Sequence, residues 1–263
     1  MIDTPLRLDP AARANYERDG FVRMPGILEP AALDTYRAGI EEEVLRRNPP
    51  AAAVHDRDTY HQAFLQVTNL WRTSDLARSF VFGKRLAGIA AQLLGVARVR
   101  LYHDQALYKE PGGGFTPWHA DQFYWPLSSD KVVTAWVPLQ ATPVVMGPLA
   151  FAAGSQRMRF GRDLEISDAS ERSLSKALAA GHYREVCEPF ALGDVSFHSG
   201  WVFHHTGPNR TDAPRSVMTV IYMEDGIRLC APTRKQHYAD WEAFMPGIQP
   251  GEPADSALNP LLI

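Results

Sequence analysis

The sequence predicts a mainly β protein with flanking helices, in which a sandwich or barrel of the jelly-roll kind forms the core. Two observations carry this prediction. Apolar side chains recur at helical spacing through about the first 95 of the 263 residues, whereas several later segments alternate between apolar and polar residues. Clusters of glycine and proline bound most of these later segments, which is typical of short strands joined by turns. Such a series of strands favours a jelly roll.

The first 95 residues predict helices with one short strand among them. The strand is expected at 20–24, where the residues alternate. A helix is expected to begin at Pro30 and to end at Asn48-Pro49-Pro50, because proline is tolerated in a first helical turn and stops a helix later on. The apolar face of this helix comprises Leu33, Tyr36, Ile40 and Val44. A second helix is expected over about 75–94.

Four later segments predict strands of the core, because the first alternates, the second alternates more loosely, and clusters of glycine or proline bound most of the four. They are 97–102, 132–137, 195–198 and 216–222. A helical insertion is expected near 169–180, where Leu174 and Leu178 share one face. The segment 245–263 is rich in proline, glycine and alanine, so we expect it to run as coil over the surface.

The length fits one large globular domain or two small ones. Hydrophobic residues make up 45% and charged residues 22% of the chain, which argues against long disorder, collagen and coiled coil. We expect a single domain over 1–263. Its mostly helical N-terminal part, its core and its C-terminal tail are expected at 1–95, 96–228 and 229–263.

Charge and targeting signals limit the partners and the location. The net charge of −3 disfavours binding to a phosphate backbone or an anionic membrane. No run approaches the roughly 18 apolar residues of a membrane span, and the N-terminus lacks the features of a signal peptide. The two cysteines have neither disulfide-framework nor metal-ligand spacing. We therefore expect a cytoplasmic protein without nucleic-acid or membrane partners, and the sequence does not indicate its oligomeric state.

A histidine and an aspartate two residues apart mark a possible metal site. In a strand, the side chains of His119 and Asp121 would point the same way. A third ligand must come from elsewhere, and the later histidines His198, His204 and His205 are the candidates. Two histidines and one carboxylate form the facial triad of non-haem Fe(II) oxygenases. The pair alone is a moderate signal, because such pairs also occur by chance near surface turns.

Arg215 adds a second requirement. It follows His204 by 11 residues and begins an apolar strand. If its side chain points inward, it needs an anionic partner, because burying its charge alone is costly. A guanidinium pairs with a carboxylate through two parallel hydrogen bonds, so Arg215 could hold the far end of a dicarboxylate that chelates the metal. An exposed arginine at a strand edge is the alternative.

Several separated motifs resemble the phytanoyl-CoA dioxygenase family of Fe(II)/2-oxoglutarate oxygenases. The segment 16–28 is similar to the opening strand and helix entry of that family. The segments 108–114 and 116–122 are similar to its lysine-containing turn and its His-x-Asp motif. The distal histidine motif is matched in order and spacing by Gly193-Asp194, His204, Asn209 and Arg215. The resemblance runs from about Tyr16 to Tyr222.

The resemblance implies a role for each matched residue. His119, Asp121 and His204 would be the metal ligands, and Arg215 would bind the distal carboxylate of 2-oxoglutarate. Further contacts of this cosubstrate are implied for Thr134, Trp136, Thr206 and Gln105, and more weakly for Gln66. His198 would occupy a strand position that is often histidine in the family without binding metal, and His205 would face the opposite side.

The resemblance also implies a fold and a reaction. The fold would be a double-stranded β-helix (jelly-roll, cupin-like) core. The reaction would be hydroxylation of an aliphatic C–H bond of a small organic metabolite. Fe(II) would be the cofactor, 2-oxoglutarate and O₂ would be consumed, and succinate and CO₂ would be released. Halogenases of this fold carry a small residue in place of the carboxylate, so the presence of Asp121 argues against halogenation.

Alternatives and departures remain. A zinc-dependent hydrolase or isomerase would use the same triad, and a non-catalytic barrel would bind a small acid without turnover. The sequence departs from the family pattern at 146–149 and at 154–156. Arg157 and Arg159 could recognise an anionic group of the substrate or be solvated. Possible aromatic walls of the substrate pocket are Phe123, Tyr124, Trp125 and Trp201.

Overall fold

A computed structural model describes residues 2–48 and 63–263, and ten antiparallel strands form its core. In chain order the strands are β1 (Phe21–Met24), β2 (Leu65–Thr68), β3 (Val99–Lys109), β4 (Thr116–His119), β5 (Val132–Pro138), β6 (Leu149–Ala152), β7 (Glu185–Cys187), β8 (Val195–Ser199), β9 (His204–Thr206) and β10 (Arg215–Glu224). Six of them form one sheet in the order β1-β8-β5-β10-β3-β2, and four form a second sheet in the order β4-β9-β6-β7. This two-sheet arrangement is the predicted jelly roll.

Six helices belong to the described residues. They are α1 (Pro10–Asp19), α2 (Pro30–Arg47), α3 (Asp75–Val81), α4 (Lys84–Leu94), α5 (Asp168–Ala180) and α6 (Lys235–Phe244). The first four pack on the outer face of the large sheet, where they form one apolar cluster with side chains of β3, β5, β8 and β10. None of the described helices is long and apolar enough to cross a membrane.

The central strands of the large sheet are buried along their whole length. Every residue of β5 and all but the last residue of β10 are buried. One face of these strands packs against the helices, and the other faces the small sheet. Both faces are therefore covered, which explains why these strands contain longer apolar runs than a half-exposed strand would.

All four predicted core strands exist. Three of them include their predicted bounds and extend beyond them, whereas the strand expected at 97–102 begins two residues later, at Val99, and runs to Lys109. The predicted strand at 20–24 and the helical insertion near 169–180 are also present, as β1 and α5. The helix expected from Pro30 runs to Arg47, where the Asn48 N–H bonds to the Val44 carbonyl. Pro49 and Pro50 of its predicted end lie outside the described residues.

The helix expected over 75–94 is wrong as a single element. The structure has two helices, which are interrupted at Phe82 and Gly83. A Cβ atom on Gly83 would lie 2.5 Å from Ile2 Cγ1 and 3.0 Å from the Phe80 carbonyl oxygen. The chain therefore turns at a glycine to let the N-terminus pack closely, and apolar periodicity on either side does not reveal this turn.

The C-terminal segment is coil, as predicted, but the expectation that it only covers the surface is wrong. Met245, Ala254, Leu258 and Asn259 are buried. The Asn259 amide donates to the carbonyls of Leu101 at 3.2 Å and Tyr102 at 3.0 Å, which ties the segment to the start of β3. Helix α6 within the predicted tail was not expected from the sequence. The single-domain division remains a prediction.

Candidate functional site

A cavity of about 430 Å³ lies between the two sheets and contains the predicted site. Its walls come from β3, β5 and β10 of the large sheet and from β4, β6 and β9 of the small sheet. All eight residues predicted to bind metal or cosubstrate line it, namely Gln105, His119, Asp121, Thr134, Trp136, His204, Thr206 and Arg215. The fold therefore gathers residues from five separate strands and one turn around a single space.

Three of these residues form a compact cluster. His119 and His204 are directly opposite each other in the β4–β9 register. Their Nε2 atoms lie 3.6 Å and 3.5 Å from Asp121 Oδ1. One potential ligand atom from each of the three residues lies within 4.8 Å of the other two. This spacing allows the three atoms to bind one metal ion.

His119 and Asp121 converge for a different reason from the one the sequence suggested. Strand β4 ends at His119, and Asp121 begins a 3₁₀ turn over Asp121–Phe123. The turn is closed by the Tyr124 N–H, which donates to the Asp121 carbonyl at 3.0 Å. The expectation that both residues lie on one face of a strand is thus wrong. The turn itself brings the carboxylate back toward the imidazole.

Backbone carbonyls orient both imidazoles. The Nδ1 of His119 lies 2.7 Å from the Pro117 carbonyl oxygen, and the Nδ1 of His204 lies 3.1 Å from the Val202 carbonyl oxygen. An Nδ1–H that donates to a carbonyl leaves Nε2 as the atom with a free lone pair. Both Nε2 lone pairs are then available to a metal beside Asp121.

Burial and mutual interactions shift the pKa values of all three residues of the cluster. Burial, together with the neighbouring His204, lowers the pKa of His119 to about 3, so this imidazole is neutral at physiological pH. Burial opposes ionisation of Asp121, but His204 and His198 outweigh it and hold the pKa of this carboxyl well below its usual range. Burial also opposes protonation of His204, and Asp121 outweighs it and raises the pKa of this imidazole. The result is an ionised carboxylate beside imidazole nitrogens, a donor set that suits Fe(II).

The second oxygen of Asp121 is held by neighbours in the large sheet. His198 Nε2 lies 3.3 Å from Asp121 Oδ2, and Thr134 Oγ1 donates to the same oxygen at 3.4 Å. Thr134 and His198 are opposite each other in the β5–β8 register. Both residues therefore fix the carboxylate so that Oδ1 faces the other two histidines.

His205 points away from the cluster, in agreement with the alternation of β9. Its Nε2 lies 3.1 Å from Glu185 Oε1, and its ring packs on Trp118 at a centroid distance of 4.1 Å. It does not line the cavity.

Arg215 lies at the other end of the cavity and is only 1% exposed. One guanidinium nitrogen donates to the Gly147 carbonyl, whereas Nε has no hydrogen-bond partner. No carboxylate of the described residues forms an ion pair with it, and burial lowers its pKa to about 9. A buried guanidinium with unused donors and no counter-charge requires an anionic ligand.

Lys109 is a second buried cation at this end, and the sequence reasoning did not assign it a role. It is directly opposite Arg215 in the β3–β10 register and has no exposed surface. Its Nζ donates to Thr206 Oγ1 at 3.0 Å and to the carbonyls of Gly114 and Gly207 at 2.5 Å and 2.9 Å. Burial and the charge of Arg215 lower its pKa to about 6. Alternation along β3 from Gln105 could have placed Lys109 on the cavity side.

The departure from the family pattern at 146–149 has a structural role here. Gly147 has a φ of +69°, and a Cβ atom on it would lie 2.2 Å from the Gly207 carbonyl oxygen. Only glycine therefore allows this loop to approach the turn after β9. In this position the Gly147 carbonyl accepts a hydrogen bond from the Arg215 guanidinium.

Gln66 and two of the four aromatic residues that were predicted as possible pocket walls line the cavity, whereas the other two aromatic residues do not. Gln66 Nε2 donates to Gln105 Oε1 at 3.0 Å, and both residues line the cavity. Of the four possible aromatic walls, Tyr124 and Trp125 line it, whereas Phe123 and Trp201 do not.

Neither Arg157 nor Arg159 lines the cavity. Arg157 donates to the carbonyls of Glu17 and Arg18 at the end of α1, and Arg159 is exposed. The structure therefore places neither arginine at this cavity.

Comparison with known proteins gives a family match. A family model described as phytanoyl-CoA dioxygenase (PhyH) matches residues 16–217. The ectoine dioxygenase of Streptomyces avermitilis is 24% identical over 270 residues, which cover 93% of this chain and 90% of that relative. A probable alpha-ketoglutarate-dependent hypophosphite dioxygenase of Stutzerimonas stutzeri is 23% identical over 155 residues, or 56% of this chain. That second match spans only 53% of the relative's length.

Solved structures match over nearly the whole chain. The carbocyclase SnoK of nogalamycin biosynthesis has a TM-score of 0.78 and 26% identity, covering 99% of this chain and 100% of its own. The epimerase SnoN, in complex with Fe³⁺, alpha-ketoglutarate (2-oxoglutarate) and nogalamycin RO, has a TM-score of 0.79 and 26% identity, covering 97% of this chain and 100% of its own. The predicted family and jelly-roll fold are confirmed, and the predicted cofactors are those of these relatives.

Proposed function

Because the chain belongs to the phytanoyl-CoA dioxygenase family, we propose that it is an Fe(II)- and 2-oxoglutarate-dependent dioxygenase that hydroxylates an aliphatic C–H bond of a small organic molecule. The observation that carries this proposal is a single cavity with a two-histidine, one-carboxylate cluster and a buried arginine without a counter-ion. The cluster suits the metal, and the arginine suits the far carboxylate of the cosubstrate.

His119, Asp121 and His204 would hold the iron. Two imidazole nitrogens and one carboxylate oxygen would leave about three positions of an octahedral ion open, which is enough for a chelating 2-oxoacid and O₂. His198 and Thr134 would keep Asp121 Oδ1 directed at the metal, because they hold its other oxygen.

Arg215 would hold the distal carboxylate of 2-oxoglutarate, and Thr206 would lie beside it, because both residues line the cavity. Thr206 lies two residues beyond His204 on β9, which is about 7 Å along a strand. A five-carbon dicarboxylate can bridge such a distance between the metal and the cations. Lys109 would act mainly by fixing Thr206 and by adding positive charge, and Trp136 would form an apolar wall beside the Arg215 guanidinium, 5.6 Å from its ring centroid.

Gln105 would border the cosubstrate from β3, where Gln66 holds its amide. When bound, iron together with 2-oxoglutarate and O₂ supplies the oxidising chemistry, with succinate and CO₂ as the cosubstrate's products. The protein would contribute orientation of both substrates and walls that keep water out. The mainly buried lining residues of the cavity are consistent with this role.

The two other classes of function leave observations unexplained. A zinc hydrolase or isomerase would use the same cluster but would give no reason for a buried, unpaired Arg215. A non-catalytic acid-binding barrel would explain Arg215 but not the intact cluster. Among oxygenases, the reaction on the substrate can also be one other than hydroxylation, since the similar structures include a carbocyclase and an epimerase.

Two adjacent histidines provide a matched test of the metal assignment. We expect His204→Ala to lose Fe(II) binding and 2-oxoglutarate turnover, because it removes a ligand whose Nε2 faces Asp121. His205→Ala should retain both, since its side chain bonds Glu185 outside the cavity. Iron content after desalting and succinate release measure the two effects. Loss of iron in His205→Ala but not in His204→Ala would contradict the assignment.

Isotope labelling distinguishes the outcome of the reaction. With ¹⁸O₂, a hydroxylase places one labelled oxygen atom in the substrate-derived product and the other in succinate. A product without label, formed together with labelled succinate, would indicate epimerisation, cyclisation or desaturation instead.

A further inference from the structure

We propose that Asp240 and His103 bind an organic ammonium group of the substrate, at the end of the cavity opposite Arg215. This inference names the substrate class for the proposed function and rests on it. The carboxylate of Asp240 would supply the charge, and the aromatic walls around it would cover the apolar part of the cation. The resulting substrate class is small organic amines.

Asp240 has a carboxylate oxygen that no described residue uses. It lies on α6, lines the cavity and is partly buried. The Tyr102 hydroxyl donates to its Oδ2 at 2.9 Å and fixes the carboxylate, whereas Oδ1 has no partner in the part of the chain that the structure describes. Burial, followed by the charge of Asp121, raises the pKa of Asp240 to about 7, as expected for a carboxylate without a counter-cation.

His103 provides an independent sign that a ligand belongs here. It lines the cavity at 2% exposure, and its Nδ1 has no hydrogen-bond partner among the described residues. Its ring stacks on Phe244 of α6 at a centroid distance of 4.0 Å. A buried polar atom without a partner, in a residue that lines a cavity, is normally satisfied by a ligand or by water.

A β-bulge interrupts β3 where it contacts α6. In the β3–β10 register, His103 is opposite Ile221 but Leu101 is opposite Tyr222, so Tyr102 is an extra residue. Bulges re-aim side chains and are common beside active sites. Here the bulge is associated with the contact of Tyr102 with Asp240 and with the stacking of His103 on Phe244.

The charges along the cavity are segregated. On β3, Lys109 is opposite Arg215, and His103 lies six residues away, which is about 20 Å of strand. Among the described residues that line the cavity, Arg215 is the one guanidinium or ammonium group. The half around Asp240 therefore offers a carboxylate without a matching cation. Glu165 at the same half pairs with Lys235 at 3.5 Å and does not need one.

Aromatic side chains complete the environment of a cation. Tyr124, Trp125 and Phe244 line the cavity. Phe244 stacks on His103, and Trp125 contacts Tyr102, whose hydroxyl donates to Asp240. A carboxylate beside aromatic rings is the combination that recognises organic ammonium groups, through charge and through the negative faces of the rings. Helix α6 lies beyond residue 217, where the family-model match ends.

The test compares three probes of one shape, cyclohexylammonium, cyclohexanol and cyclohexanecarboxylate. Each is titrated anaerobically by calorimetry into the full chain, first alone and then with Fe(II) and saturating 2-oxoglutarate to occupy the Arg215 end. We expect saturable binding of cyclohexylammonium in both cases. Cyclohexanol should bind at least about tenfold more weakly in both cases, and cyclohexanecarboxylate should do so once 2-oxoglutarate occupies the Arg215 end. No binding of the cation, or equal binding of cyclohexanol, would overturn the proposal.

Asp240→Asn keeps the shape of the side chain and removes its charge. It should weaken cyclohexylammonium by about thirtyfold or more, the effect of removing one member of a buried charge pair. Glu165→Gln is the matched control and should leave the affinity within about twofold, because Glu165 already has a partner. Equal effects of both variants would contradict a specific role of Asp240. Thermal unfolding of each variant establishes that it is folded.

The two proposals can fail separately. Cation binding without Fe(II) or 2-oxoglutarate binding would overturn the oxygenase function and keep the ammonium site. Binding of Fe(II) and 2-oxoglutarate without cation binding would overturn the ammonium site alone.

Discussion

Arg215 is buried beside a second buried cation, and no carboxylate of the described residues compensates either charge. Both groups have pKa values lowered by burial, and the charge of Arg215 also lowers that of Lys109. The hydrogen bonds of Lys109 to two carbonyls and a hydroxyl stabilise its position without neutralising it. An anionic ligand would stabilise both cations, so this end of the cavity favours a dicarboxylate over a neutral ligand.

Replacement of Arg215 tests that interpretation. We expect Arg215→Gln to weaken 2-oxoglutarate by about 2–5 kcal/mol, which is a loss of thirtyfold or more, because it removes the charged partner of a buried carboxylate. Fe(II) binding should be unchanged, since Arg215 is not in the cluster. Calorimetric titration of 2-oxoglutarate measures the effect.

Arg210→Gln is the control, because Arg210 lies on the same connection but is exposed. It should leave the affinity for 2-oxoglutarate unchanged. A similar loss in both variants would indicate an effect of net charge rather than of the buried contact.

At the scale of elements, the site depends on two loops that approach each other so closely that a side chain at Gly147 would collide with the second loop. The loop before β6 carries Gly147, and the turn after β9 carries Gly207. The first loop supplies a carbonyl to Arg215, and the second supplies one to Lys109. Backbone atoms of both loops thus fix the cations in place.

Gly147→Ala should therefore affect stability and cosubstrate binding together. The new Cβ would lie 2.2 Å from the Gly207 carbonyl oxygen, and φ is +69°, so the two loops must separate. We expect a loss of about 1–3 kcal/mol in the free energy of unfolding, and weaker 2-oxoglutarate binding because the carbonyl moves from Arg215. Denaturant unfolding and calorimetry measure the two effects.

Gly226→Ala is the control that separates the stability lost through a positive φ from the stability lost through the collision of the new Cβ with a neighbouring loop. Gly226 also has a positive φ, of +90°, but a Cβ there meets nothing within 4 Å. This variant should lose some stability through its backbone conformation and keep its affinity for 2-oxoglutarate. Normal cosubstrate affinity in Gly147→Ala would contradict a role of the loop in the site.

The elements that the sequence predicted are those whose pattern is local. Short apolar or alternating runs between turn signals located the core strands, and apolar spacing with Pro30 located α2. Other features depend on distant contacts. The break at Gly83 reflects packing against Ile2, and the pairing of Lys109 with Arg215 across the sheet is a contact between distant parts of the chain. Asp121 was predicted correctly as a neighbour of His119, but the turn that brings them together was not.

At the scale of the whole molecule, the proposed ligands would join the two sheets. His119, His204 and Thr206 belong to the small sheet, whereas Arg215 and Thr134 belong to the large one. A metal and a dicarboxylate bound across the cavity would add contacts between the sheets that the unfolded chain cannot make. Binding should therefore stabilise the entire fold.

Thermal unfolding measures this linkage. At a metal concentration about 100 times its dissociation constant, we expect about 2.7 kcal/mol of stabilisation, and each kcal/mol should raise Tm by about 2–4 °C. Mn(II) can replace Fe(II) to avoid oxidation, and 2-oxoglutarate should raise Tm further only when the metal is present. Asp121→Ala should abolish the metal effect, and an equal shift in this variant would show that the metal binds elsewhere.

The measurement that tests the central proposal most directly is an anaerobic titration of 2-oxoglutarate into the Fe(II)-loaded protein, followed by visible absorption. A 2-oxoacid that chelates Fe(II) gives a weak charge-transfer band, so we expect a band that grows and saturates with 2-oxoglutarate. In Arg215→Gln the same band should require much higher concentrations. Iron that binds without any such band would contradict the cosubstrate assignment and favour a metal-dependent hydrolase or isomerase.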